Sequence, residues 1–468
     1  MSSSSSASAP SSSSSDDANG NGNGTAAGGA GGRGGRPRGR GFDFEGPSSS
    51  RRRSGDGVWP EPFLEALAYR VAIDASLSHG CLAAAAAICN LFQVCSTWRA
   101  VSRSELLWQN LTRRIWNRGR LLHDTWWDEY VFRHRTARNF RTGHYLYTTL
   151  HFVPPDGDNN QEGLICSRLA LSDHHLAAGF YDGSVRLFDL PHRLHLSTFL
   201  PHPRDDRLGR FSSAVRGIIL SDTQLVFASL DGDIHVAPID NAAALRRTQL
   251  GDVLTDGVLV DFSGCNRWWV GVYAGVPQRS FHIWDSQTEQ LVFVGGSLTD
   301  PNAVAGWGLL HELTEFVGRV RVTSHESAVA CTNVQVIAFD LRNQGFVLWE
   351  EAFPRELIVG AFDATDDACV IVDNRGAASV LRVSTQQQVC RFAARGAPQR
   401  GVLGCMNSGY ALMCVGGVVR VWEVERSGES LYSLGERLEP PTAMVADDRH
   451  VAACTSDTTI HLWDFGAQ

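Results

Sequence analysis

Three textures of hydrophobic and polar positions run along the chain, and each predicts a different state. Residues 1–57 are dominated by serine, glycine, asparagine and arginine, with almost no large apolar side chains. Such a stretch cannot bury enough surface to offset the entropy of ordering, so a disordered tail is expected. From Val58 to about Arg141, apolar residues recur three and four apart: Phe63, Leu64, Leu67 and Val71; Leu91, Val94, Cys95 and Trp98; then Leu107, Leu111 and Ile115. That period predicts successive helices, and Trp59-Pro60 suits a helix start because proline fits the first turn. Beyond Tyr145, short β-prone runs alternate with Gly, Asp and Pro turns, which signals an all-β domain.

Within the β region one unit recurs: a strand of small residues, a tight turn, and a strand ending in an aromatic and an acid. Seven copies end near Phe188, Ala237, Trp284, Phe339, Arg382, Trp422 and Trp463, at spacings of 49, 47, 55, 43, 40 and 41 residues. A single four-stranded blade cannot bury both of its faces, whereas a closed ring gives each blade two neighbours and leaves only short edges. The prediction is a mainly β chain built on a seven-bladed propeller, with six- and eight-bladed rings as the alternatives. The last unit stops four residues before the end of the sequence. Its outermost strand is therefore expected from Tyr145–Val153 (YLYTTLHFV), closing the ring. The expected organisation is a tail at 1–57, a helical domain at 58–118, a helical linker at 119–143 and the propeller at 144–468.

Composition narrows the chemistry. All 42 basic residues are arginine, which removes every reaction that needs a lysine: P-loop and kinase phosphate binding, and Schiff-base catalysis. The absence reads either as coding bias or as a chain that offers no side-chain amine for its own modification. The eleven cysteines form no CxxC pair, so reduced thiols are expected and a RING-type zinc fold is not. There is no apolar run of about 18 residues, and no membrane span is expected. The serine-rich start lacks the apolar region of a secretory signal. The tail carries +2 of the net −8, leaving −10 on the remainder, which argues against nucleic-acid binding by the globular part. The tract GGRGGRPRGRG and Arg51, Arg52 and Arg53 read as a solvated linker, a nuclear import signal or an RNA-contacting segment. No GxSxG, HExxH or paired-carboxylate motif stands out, so neither catalysis nor a cofactor or metal is expected. Loops that feed the innermost strands carry Arg204, Arg207 and Arg210, then Arg395 and Arg400, then Arg437. Arginine pairs bidentately with carboxylate or phosphate, so these are candidate contacts to an acidic or phosphorylated protein substrate. The alternative is local ion pairing with Asp205 and Asp206.

The repeat resembles the WD40 family, with Phe188-Asp189, Trp284-Asp285, Phe339-Asp340, Trp422-Glu423 and Trp463-Asp464 at the Trp-Asp position. The helical segment resembles an F-box, the module that grips a Skp1-type adaptor. Trp59, Pro60, Phe63, Leu64 and Leu67 match its start, and Val94, Cys95, Trp98, Leu107 and Trp108 match its second half. An alanine-rich connection, Ser76–Ile88, stands where the F-box family has a Leu-Pro-x-x-Asp-Leu turn. VWPEPFLEALA, FQVCSTWRAVSRSELLWQ and HDTWWDEYVFRHRTARNFRTG together are similar to plant F-box/WD40 proteins. The resemblance implies a nuclear, non-catalytic ubiquitin-ligase receptor that controls flower and organ growth. It also implies an adaptor of the Skp1 type, through it a cullin, and transcriptional repressors of the PEAPOD class as substrates. The competing reading is a nuclear transcriptional regulator or scaffold that uses the propeller without ligase coupling.

Overall fold

Helix boundaries in the computed structural model follow from caps written in the sequence. The structure describes residues 59–152, 164–202, 210–297, 318–354, 357, 359–393, 402–424 and 430–467. The tail expected at 1–57 lies outside them. Helix α1 (Glu61–His79) starts behind Pro60, and α2 (Ala83–Phe92) follows after a short break. The alanine-rich connection is thus almost wholly helical. Next come α3 (Ser96–Ala100) and α4 (Glu105–Trp116), the latter capped by the Ser104 hydroxyl, which accepts from Leu107 N–H. Helix α5 (Trp126–Thr142) is capped in the same way by Thr125, which accepts from Asp128 N–H. An N-cap of this kind satisfies one of the otherwise orphaned first-turn donors. Gly143 ends α5 at φ 72°, a left-handed position that suits glycine.

The phase of α1 decides which residues it buries. Leu64, Ala68 and Ala72 are four apart and form one stripe against Ile88, Phe92, Leu107, Trp108, Leu111 and Tyr130. Helix α5 serves two cores. Near its start Tyr130 packs in this helical cluster; near its end Phe140 packs with Tyr410, Trp463 and Phe465 of the β domain. Residues Trp59–Gln468 accordingly form one compact unit.

The β region is seven four-stranded antiparallel sheets. Their innermost strands, Cys166–Leu171, Val215–Leu220, Val258–Gly264, Gly318–Val322, Val359–Ala364, Leu403–Met406 and Pro441–Ala446, each pack against the next, and the last against the first. This is the closed seven-bladed ring. Strand Leu146–Leu150 pairs with Ile460–Asp464, from Leu146 opposite Asp464 to Leu150 opposite Ile460. The seventh blade is completed by the segment expected to close the ring. Second strands are buried along nearly all their length, and along the whole of it in Trp268–Ala274 and His450–Thr455, which is why they read as continuous small or apolar runs.

One assignment needs correction. Arg382 does not occupy the aromatic position of unit five. It pairs with Ala368, the register at which Asp189 pairs with His175 and Asp464 with His450, so Arg382 stands where other blades place the acid. Leu381, buried opposite Cys369, fills the aromatic site. A one-residue slip moves a side chain to the other face of a strand, and burial selects the leucine.

Candidate docking surfaces and the central channel

The start of the helical domain presents an apolar pair to solvent. Trp59 and Phe63 are 52% and 47% exposed, and their rings stack 4.9 Å apart. Pro60 beside them is exposed and Leu67 half-buried. Leu64, by contrast, is only 2% exposed, so the expectation that it meets an adaptor is corrected: it lies about 100° round the helix from Phe63 and belongs to the core. In the second half, Val94 is 62% exposed, Cys95 is exposed and Trp98 is half-buried. Leu107 and Trp108 are buried, and the Trp108 indole donates to Ser102 O at 2.7 Å. These two also hold the domain together rather than offer a surface. Sequence reasoning missed the exposed Leu77 and Leu106; Leu106 could have been found as the apolar residue about 100° round α4 from the core-facing Leu107.

Between α4 and α5 the chain crosses one face of the propeller, the face made by turns joining first and second strands. Asn117 donates to Asp366 in blade five at 2.6 Å. Arg118 reaches Asp448 in blade seven at 3.2 Å and Asp173 in blade one at 3.7 Å. Arg120 reaches Asp222 in blade two at 2.8 Å. Burial works against the Arg118 charge, but Asp448, Asp173 and Asp447 outweigh it and hold its pKa above the ordinary value. In α5, Arg133 donates to the fully buried Glu129 at 2.7 Å and lies 3.8 Å from Asp173. Four blades are therefore tied to the helical domain by charge-assisted contacts, in addition to the Phe140 core.

The ring encloses a channel of about 420 Å³ lined by all seven innermost strands, with Arg118, Asp447 and Asp448 at the tied end. Charged side chains stand among the hydroxyl, amide and apolar groups of its wall. Arg168 donates to Asp261 at 3.1 Å, and Arg321 bridges Asp261 at 3.2 Å and Asp363 at 2.6 Å. Asp261 also accepts from Val320 N–H, and Asp363 from Met406 N–H. Burial, then the nearby Arg168, push the Arg319 pKa down to about 9 against the opposing pull of Asp261.

Of the loop arginines expected to read a substrate, Arg204, Arg207, Arg395 and Arg400 lie outside the described residues. Arg210 opens a short turn, Arg210–Ser213. Arg437 is exposed at the end of strand Ser430–Arg437, paired with Val418. Among the described residues no group of three or more His, Cys, Asp or Glu is placed to hold a metal, and no helix is long and apolar enough to cross a membrane.

A helical domain fixed to one face of a closed seven-bladed ring defines a propeller protein with an appended helical module. The fold is shared with the β-propeller domain of Myceliophteria thermophila Cps50 (Swd1), at TM-score 0.50 and 12% identity, covering 68% of this chain and 99% of that one. No protein-family model matches the chain. It is 58% identical over 427 residues to the Arabidopsis thaliana protein named transcriptional regulator STERILE APETALA, covering 90% of this chain and 95% of the relative. The chain belongs to the STERILE APETALA family.

Proposed function

We propose that the chain is the non-catalytic substrate receptor of a ubiquitin ligase of the Skp1–cullin–F-box type. On this reading the helical domain holds a Skp1-like adaptor and, through it, a cullin. The propeller holds a protein destined for ubiquitination, a transcriptional repressor of the PEAPOD class, and the complex works in the nucleus during flower and organ growth. The observation that carries the reading is the stacked, solvent-facing Trp59–Phe63 pair at the head of a domain fixed to the propeller. Exposed aromatic pairs of this kind are typical anchors of protein interfaces. A chain without lysine also suits a subunit that sits beside a ubiquitin-conjugating centre, because it offers no side-chain amine of its own. The second reading, a nuclear transcriptional regulator that works through the propeller alone, is favoured by the relative's name.

Co-purification with a Skp1-like adaptor separates the two. Truncating an interface anchor typically costs ~2–4 kcal/mol, roughly 30- to 1,000-fold in affinity. Trp59→Ala with Phe63→Ala is expected to lose the adaptor while the propeller stays folded. Undiminished capture would reject the ligase reading at this surface, and a variant that loses the adaptor yet keeps its biological activity would favour the scaffold.

A further inference from the structure

The outer strand of the fourth blade, Phe346–Ala352, is seven residues long, and among the described residues it pairs with Gln335–Asp340 alone. Its other edge is an open row of backbone donors and acceptors, and such edges are ordinarily blunted by shortness or by charge. The second blade does so: its outer strand, Arg246–Gln249, is four residues long and carries two arginines. The fourth blade instead exposes three large apolar side chains in succession, Phe346 at 64%, Val347 at 43% and Leu348 at 49%. Successive side chains point to opposite faces of a strand, so neither neighbouring blade can cover all three. An exposed apolar patch on an open edge marks an interaction site.

Pairing register shows what each face of this strand presents, because residues directly opposite share a face. Val347 stands opposite Phe339 and Glu350 opposite Ile337. Both partners pack with Phe281 and Ile283, so this is the side toward blade three. Phe346 stands opposite Asp340, and Glu351 opposite Val336, which packs with Phe362 of blade five. Each face therefore runs from an apolar residue to an acid. At Gly345 a Cβ would lie 2.9 Å from the Phe293 ring, which brings the start of the strand against the outer strand of blade three. Leu291 and Val292 of that neighbour are exposed too and widen the apolar end. Glu351 accepts from the Gln386 side chain at 3.1 Å, and neither Glu350 nor Glu351 is paired with an arginine among the described residues.

We propose that this edge is a docking strand for a partner protein, which adds an extended segment to the fourth blade as a fifth, antiparallel strand. Three observations fix three properties of that segment. The open edge requires extended backbone, whose N–H and C=O groups continue the ladder. Phe346, Val347 and Leu348 require apolar side chains at one end of it. Glu350 and Glu351 require basic side chains at the other, in keeping with a propeller in which residues 144–468 carry 24 arginines against 38 acids, a net −14. Read antiparallel, the segment has its basic pair first and its apolar pair after a short spacer. The inference needs neither the adaptor surface nor the ligase reading.

The probe is a fluorescein-labelled peptide, Thr-Arg-Arg-Thr-Thr-Val-Val-Thr, titrated into the purified full chain and followed by anisotropy, with amide exchange measured on the same complex. Saturable binding and slower exchange across Phe346–Ala352 are expected. The same peptide with glutamate in place of both arginines should bind about tenfold more weakly, since two opposite-charge pairs become like-charge pairs. Val347→Lys with Leu348→Lys should abolish binding at an unchanged melting temperature, because both side chains are exposed. Glu350→Gln with Glu351→Gln should remove the preference between the two peptides. The proposal is overturned if the arginine peptide does not bind, binds the double-lysine variant as well as the parent, binds no better than the glutamate peptide, or leaves exchange in Phe346–Ala352 unchanged. Self-association that slows exchange there without peptide would give the edge to a second copy and overturn the partner assignment. Any of these failures leaves adaptor capture at Trp59 and Phe63 to be judged by its own experiment.

Discussion

Phe140 is the side chain on which the attachment of helical domain to propeller most depends, and its truncation gives a calculable result. The ring is 1% exposed, stacks on Phe465 at 3.7 Å between centroids and on Tyr410 at 5.4 Å. A phenylalanine buries roughly 150–250 Å², and at about 25 cal/mol per Å² the whole side chain accounts for about 4–6 kcal/mol. Alanine keeps part of that area but leaves a cavity, so Phe140→Ala is expected to cost about 3–5 kcal/mol. Polar contacts around it should weaken together: Asn139 donates to Phe465 O at 2.8 Å, Tyr410 to Ala137 O at 3.2 Å, and Tyr432 to Phe140 O. Urea unfolding measures the loss, and a double-mutant cycle with Phe465→Ala should return a coupling of about 0.5–1.5 kcal/mol for the stacked pair. Amide exchange should rise in Tyr410–Val415 and His450–Thr455, the second strands of blades six and seven. A loss under about 1 kcal/mol, or strictly additive single effects, would refute the claim that α5 is joined to the ring through this core.

Three further outcomes are expected. Arg133→Met removes one charged partner of the buried Glu129 carboxylate, which Arg133 meets at 2.7 Å and which keeps His123 at 2.6 Å and Leu122 N–H at 3.3 Å, and should cost about 1–3 kcal/mol, read by denaturant midpoint. Asp447 has its pKa lowered to about 2: burial opposes this, but the His450 charge and hydrogen bonds from His450 and from the Arg449 backbone prevail. A depressed carboxyl stabilises the fold fully above its unfolded value near 4 and loses that contribution as pH falls toward 2, here about 2 kcal/mol, so Asp447→Asn should flatten the acid limb of stability measured against pH. At Gly217 a Cβ would sit 2.1 Å from the Phe262 carbonyl oxygen of the next blade, so Gly217→Ala must push blades two and three apart and should cost about 1–3 kcal/mol; an unchanged melting temperature would show the inner ring to be looser than the backbone spacing implies.

Much of the ring could be read from the sequence because each blade repeats one local pattern, a small-residue strand followed by an aromatic and an acid. The closing strand was legible for a topological reason: the last unit lacked a fourth strand and YLYTTLHFV was the β-prone run left over. Arg382 was misplaced because unit five has leucine where its sisters have an aromatic, and nothing but pairing register reveals the shift. Leu64 was misplaced because its position early in the helix was given more weight than its phase. Its four-residue spacing to Ala68 and Ala72 marks it as core, and Phe63 one step earlier as surface. The channel charges were invisible for a different reason. Arg168, Asp261, Arg321 and Asp363 sit in four blades, so no local motif joins them; the available signal was a charged residue inside a buried, otherwise apolar innermost strand.

One end of the ring is committed to the helical domain. Aspartates in the turns of blades one, two, five and seven serve the connection to the helical domain: Asp222, Asp366 and Asp448 accept from the segment Asn117–Arg120, and Asp173 lies 3.7 Å from Arg118. Those acids are already paired with the segment, and its Arg118 lines the channel at this end. Loss of the Arg118 contacts, as in Arg118→Gln, should therefore loosen the helical domain on the ring, read as faster amide exchange in α5; unchanged exchange there would refute the tie through Asp448 and Asp173.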